Sequence, residues 1–245
     1  MVRALSLTAR VFAVFYLTAG AILPAADKSG ESAEPVGLFE AIAAGDVEVK
    51  LILKDSTTGT AIVANKTKRP LAIILPEAFA GVPVAAQFGA NPFGNGNNAG
   101  NPGNNASQTV GAAPQNPWGN NNAGPGIFNV GPERAIKLKV SAVCLEHGKK
   151  EPNSRIAYEL VPLASFTSDK RVADLVSMLG KGEVDQPAAQ AAAWHLTDGL
   201  SWQQLRKEIG IKHLSGQNEP YFTAGQIERA KKIVGRPSAT GQSEN

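Results

Sequence analysis

Residues 134–145 read RAIKLKVSAVCL, and their alternation decides the fold. Ile136, Leu138, Val140, Ala142 and Cys144 fall on one face of an extended chain, with Lys137, Lys139 and Ser141 on the other. Side chains of a strand alternate with period two, so this is a half-buried strand. Cys144, the only cysteine of the 245 residues, takes its last inward position before the turn EHGKKEPNS. Working outward, VEVKLIL (47–53), TAIVAN (60–65), LAIIL (71–75), IFNV (127–130) and IAYELVPL (156–163) are further short β-rich runs between turn residues. Strands punctuated every 8–12 residues or so predict an antiparallel β-sandwich rather than a parallel sheet.

The C-terminal third changes period. SDKRVADLVSMLG starts at Ser168, stops at Gly180 and puts Val172, Leu175, Val176 and Leu179 on one helical face. DQPAAQAAAWHLTDG has Pro187 placed for a first turn and Gly199 for an exit. Ser201 with Gln204, and Thr223 with Gln226, are capping boxes, stapled by Leu200 with Leu205 and by Phe222 with Ile227. Strands first and helices last make the expected class α+β. The phrase TAIVANKTKRPLAIILP resembles exported immunoglobulin-like modules, which implies that topology for the sandwich. LFEAIAAGDVEVKLIL has an ankyrin-like ring, but no second copy follows and a lone repeat cannot bury its own face.

The N-terminus carries Arg3 and Arg10 around the start of an apolar run, VFAVFYLTAGAIL, that leaves through LPAAD. A basic start, a short apolar run and a small-residue exit describe a cleaved secretory signal. The run falls short of the roughly 20 residues of a spanning helix, so no stable membrane span is expected. Removing 1–26 leaves 22 basic and 21 acidic side chains, so the basic pI is no footprint of nucleic-acid binding. The organisation then reads as signal peptide 1–26, polar tether 27–36, first part of the sandwich 37–87, insert 88–126, second part 127–165, helical region 166–236 and tail 237–245. The insert holds no charged residue and is dominated by Asn, Gly and Pro, a composition that cannot offset chain entropy by burial and predicts disorder. NPFGN and NPWGN recur in it around Phe93 and Trp118, read as a low-complexity loop with two aromatics. Asn65-Lys66-Thr67 and Asn105-Ala106-Ser107 match glycan acceptor sequons.

Enzyme signatures are missing: no GxSxG elbow, no phosphate-binding loop and no HExxH is present. Cys144, Glu146 and His147 lie close in sequence, but adjacent strand residues face opposite ways, so they form at most a partial metal site; neither metal nor cofactor is expected. A cysteine hydrolase would need Cys144 with His147 or His195. An odd cysteine in an exported chain instead calls for a crosslink, a modification or an inert place in the core.

A sharper reading rests on two segments. Ala189-Gln190-Ala191-Ala192-Ala193-Trp194 resembles the glutamine motif of thioester domains in bacterial surface adhesins, and Val143-Cys144-Leu145 is similar to the cysteine motif of that family. The resemblance implies Cys144 as sulfur donor and Gln190 as acyl donor of an internal thioester, with Trp194, His195 and His147 as possible neighbours. It covers about ten positions, and the aromatic neighbours usual beside the family's cysteine are absent. The plain alternative makes Cys144 an inert core residue, with Gln190 facing solvent and Trp194 packed on the sheet. Three functions follow in order: an exported, non-enzymatic binding or structural module of the cell envelope with a protein or cell-surface partner, a covalent adhesin, and a cysteine hydrolase.

Overall fold

The computed structural model describes residues 34–84, 107–115, 126–207, 209–212 and 218–236. The expected immunoglobulin-like β-sandwich is not what forms. Strands β2 (Val47–Leu53), β3 (Thr58–Asn65), β5 (Phe79–Pro83), β6 (Val110–Pro114), β8 (Ala135–Cys144) and β9 (Tyr158–Pro162) close into a six-stranded antiparallel barrel in the order β2-β3-β8-β6-β5-β9. The ring is shut where Leu51 of β2 meets Tyr158 of β9. Two short strands read from the sequence do not enter the barrel: β4 (Leu71–Ile74) pairs with β7 (Ile127–Val130) on one side and with β1 (Val36–Gly37) on the other, in a separate mixed sheet.

Alternation gives each strand an inner and an outer face in a sandwich and a barrel alike. Closure depends on stagger and on how near opposing strands can come. Here the small residues of β5 and β6, FAGVP and VGAAP, let the wall curve inward. A Cβ added at Gly81 would lie 2.5 Å from Leu51 Cδ2, so glycine at that position lets the β2 side chain fill the barrel. Strand β6 lies inside the stretch 88–126 that composition assigned to a spacer. Residues 107–115 are instead a wall of the barrel, hydrogen-bonded between β5 and β8.

Two turns are fixed by side chains. Asp55 Oδ1 accepts from the backbone N–H of Thr57 and Thr58, both at 2.9 Å, and closes the β2–β3 hairpin. Asn65 ends β3 with its amide buried: Nδ2 donates to the carbonyls of Arg69, Val130 and Gly131, and Oδ1 accepts from Thr67 N and Oγ1. In the folded chain the Asn65 sequon is therefore a structural turn. The Asn105 sequon, the two aromatic repeats and the N-terminal signal lie outside the described residues.

The first two helices after β9 cover the barrel over β6 and β8. α1 (Leu38–Ala43) leads into β2, and α2 (Lys170–Lys181), α3 (Gln186–Thr197), α4 (Trp202–Lys207) and α5 (Ala224–Val234) follow β9. Their ends obey local chemistry. Asp169 caps α2, Gly182 closes it at φ 74°, Asp185 caps α3 ahead of Pro187, and the Thr223–Gln226 box opens α5. α2 approaches the wall closely because Gly180 meets Ala113: a Cβ at Gly180 would sit 2.5 Å from the alanine's. α3 is central, and from Ala188 to Trp194 every residue is buried, so its alanine content allows neighbours on all sides. The tip between α4 and α5 carries a small hairpin, β10 (Ile209–Lys212) with β11 (Asn218–Pro220).

Candidate functional site at the end of strand β8

The β3–β8 ladder runs from Ala64 opposite Ala135 to Thr58 opposite Ser141, and one further bond joins Ala142 N to Thr57 O. Beyond this point β8 continues to Cys144 with β6 on one side, Val110 lying opposite Cys144. On the other side β3 has ended, and the Cys144 N–H and C=O would be orphaned in the interior, a costly arrangement.

A side chain of α3 supplies the missing partner. Gln190 Oε1 accepts from Cys144 N at 2.9 Å, and Gln190 Nε2 donates to Cys144 O at 2.8 Å. The carboxamide thus imitates one residue of a neighbouring strand. One helical turn earlier, Gln186 Nε2 donates to Ala142 O at 3.4 Å. Four helical residues rise about 6 Å, and two strand residues advance about 6.6 Å. Glutamines four apart on a helix can therefore serve alternate carbonyls of a strand. Cys144 and Gln190 are each 1% exposed, so the plain reading of a solvent-facing Gln190 gives way to a buried clasp.

The next residue of the same helical stripe is Trp194, 4% exposed. It meets the His147 ring edge-on at 4.6 Å between centroids, and Tyr221 and Phe222 at 5.3 and 5.7 Å. Its Nε1 is buried without a hydrogen-bond partner among the described residues. His147 is carried on the turn after β8, which is tied to the end of α3 by donation from His147 N to Asp198 Oδ2 at 3.1 Å. His195 turns elsewhere: Nδ1 lies 2.7 Å from Leu200 O and the ring stacks on Trp202 at 4.0 Å, so it organises the link to α4. Of the residues singled out by sequence, Cys144 and Gln190 meet, His147 and Trp194 meet beside them, and His195 belongs to another contact.

The electrostatics of the site keep the thiol neutral. Burial pushes the Cys144 thiol far above its ordinary range, and the negative charges of Glu151 and Glu146 push the same way. Glu146 is itself partly buried, which opposes its charge. Hydrogen bonds from Lys149 and from Thr109 outweigh that and hold it below the usual carboxylate range. A cysteine that attacks substrates needs the opposite surroundings, electropositive and partly open. Among the described residues no group of three or more His, Cys, Asp or Glu side chains is placed to hold a metal ion.

Sequence reasoning missed Gln186 and the Tyr221–Phe222 pair. The spacing of Gln186, Gln190 and Trp194 at i, i+4 and i+8 was a readable signal for the first. The second joins the site only through the path of the chain after α4. No protein-family model, no curated protein and no solved structure matches this chain.

Proposed function

We propose that this chain is an attachment module of an exported protein, and that Cys144 and Gln190 form an internal thioester that captures an amine on a protein or cell-surface partner. The single observation that carries the reading is the clasp: the buried carboxamide of Gln190 is held on the one cysteine of the chain. The basic and apolar N-terminus supports export. Among the described residues no helix is long and apolar enough to cross a membrane.

The chemistry balances without a further reagent. Cys144 Sγ bonds to Gln190 Cδ, the Cδ–Nε2 bond breaks, and the thiol proton leaves with the nitrogen as ammonia. The Cys144 N–H, already directed at Oε1, stabilises the charge that develops on that oxygen. A primary amine then attacks Cδ, the S–Cδ bond breaks, and the amine's proton passes to Sγ, leaving a substituted amide on Gln190. Burial that penalises a free thiolate does not act on the uncharged thioester, and it keeps water away from the acyl carbon.

A second reading is favoured by the match between helix rise and strand advance. In it the clasp is only a latch of α3 on β8, and the module binds its partner without a covalent bond. Intact mass of the mature chain separates the two. The thioester lowers the mass by one ammonia, methylamine restores it with an adduct at Gln190, and Cys144→Ala and Gln190→Ala abolish both effects. A full, methylamine-insensitive mass in freshly purified wild type overturns the covalent reading and leaves the latch.

A further inference from the structure

Beyond the helices, the outward side chains of β8 join those of β3 and β2 in an open face on the barrel wall, and the register fixes its layout. Lys50 of β2, Ile62 of β3 and Lys137 of β8 form one cross-strand row, and Ile52, Thr60 and Lys139 form the next. Lys54 continues the β2 column into the hairpin, its N–H bonded to Thr58 O at 2.9 Å. From the spacing of strands and of alternate residues, Lys137 stands about 10 Å from Lys50 and about 7 Å from Lys139 at the backbone. All four lysines are exposed, and so is Ile52, at 40%.

The charge of this face is one-signed. Lys54, Lys137 and Lys139 make no ion pair or side-chain hydrogen bond among the described residues. Lys50 is 3.8 Å from Glu48, a carboxylate already held by Lys66 at 2.6 Å. Glu159 lies on β9, past the β2 margin. Elsewhere the chain pairs its basic groups: Arg69 with Asp46, Arg171 with Asp169 and Arg229 with Asp185. Over residues 27–245 the balance is close, 22 basic against 21 acidic side chains, so the lysine face is a local excess and not an overall basicity. Like charges held side by side repel, a cost to folding that an anionic partner removes.

We infer that this face docks the protein on an anionic lipid surface, its four lysines on headgroup phosphates and Ile52 and Ile62 at the boundary with the acyl chains. Lysine meets phosphate as a flexible point charge and carries its charge past apolar neighbours on its methylenes. Ile52 and Ile62, set between the lysines, gain from a headgroup boundary, whereas a hydrated acidic polysaccharide offers them nothing. The two rows hold no aromatic side chain on which the bases of a single-stranded nucleic acid could stack. The inference does not rest on the thioester.

The experiment is co-sedimentation of the mature chain, residues 27–245, with vesicles at low salt. The vesicles are phosphatidylcholine alone, or equal parts phosphatidylcholine and phosphatidylglycerol. Neither headgroup carries a primary amine, so the presence or absence of a thioester leaves the result untouched. The anionic vesicles are expected to bind at least about tenfold tighter than phosphatidylcholine alone, with binding falling as salt rises. Lys137→Gln together with Lys139→Gln is expected to lower binding by about tenfold or more, and Ile52→Ser by a smaller factor that salt does not change. Lys170→Gln together with Lys232→Gln makes the same change in net charge at exposed positions of α2 and α5, and is expected to leave binding within about twofold of wild type. Equal binding to the two vesicles, no binding, full binding in the β8 pair, or an equal loss in the helix pair overturns the inference. Binding to soluble polygalacturonate but not to the vesicles, weakened in the β8 pair, overturns the lipid assignment in favour of an acidic polymer.

Discussion

Two of the buried side-chain amides, Asn65 and Gln190, are used differently. Asn65 is 2% exposed and Gln190 is 1% exposed. Asn65 is saturated: its nitrogen serves three carbonyls and its oxygen accepts from both donors of Thr67, all close by or in the turn after β7. Gln190 makes one bond from each end, both to one residue, and that residue is the lone cysteine. A fully subscribed amide is explained by the turn it holds. A half-subscribed amide held on the backbone of a cysteine still has capacity for another partner, and this difference separates a structural clamp from a candidate acyl donor.

The comparison breaks most readily at Asn65. Asn65→Ala leaves several buried groups unpaired and is expected to cost about 3 kcal/mol, read as a lower urea midpoint at unchanged slope. A loss below about 1 kcal/mol would show that water replaces the amide without penalty.

Gln190 is expected to matter less for stability and more for chemistry. Gln190→Leu removes both bonds to Cys144 and should cost about 2 kcal/mol. Gln190→Glu sharpens the test, because only a protonated acid can donate to the Cys144 carbonyl. The buried carboxyl would titrate above its unfolded value, so the variant keeps its stability below about pH 4.3 and loses it as the pH rises through the folded value. Urea midpoints at pH 3.5 and 7 check the sign. A variant more stable at pH 7 would mean that the clasp opens.

The smallest effect belongs to the other tie on α3. Asp185 caps that helix and takes Arg229 of α5, Nε to Oδ2 at 2.6 Å, which holds its carboxyl below the usual carboxylate range. The folded value is depressed, so this contribution is present above about pH 3.9 and is lost as the pH falls through the folded value. Asp185→Asn keeps a capping oxygen but loses the pair, at a cost below about 1 kcal/mol for such an exposed contact. Its mark is a flatter fall in urea midpoint between pH 4 and 2.5 than in wild type.

Much of this was legible along the chain because the signals are local. The alternation of 134–145 placed Cys144 inward, and the caps at Thr223 and Ser201 and the proline at 187 located helices where they occur. Such features depend on backbone groups a few residues apart, and any fold containing them keeps them. Composition was less reliable over 88–126. The run VGAAP between two Asn- and Gly-rich stretches is a barrel strand, with small residues chosen by its neighbours rather than by its own hydrophobicity.

What the sequence determined alone was therefore the period and the ends of its elements. Tertiary structure decided the rest. It closed the barrel through Leu51 and Tyr158, sent β4 and β7 to a different sheet, moved His195 to Trp202 and brought Gln190 onto Cys144. The physical reason is range. A cap or an alternating strand is settled within one turn or one hairpin, whereas closure and clasp join residues about 46 to 107 positions apart, and their partners are fixed only when packing brings distant backbone groups into the same dry interior.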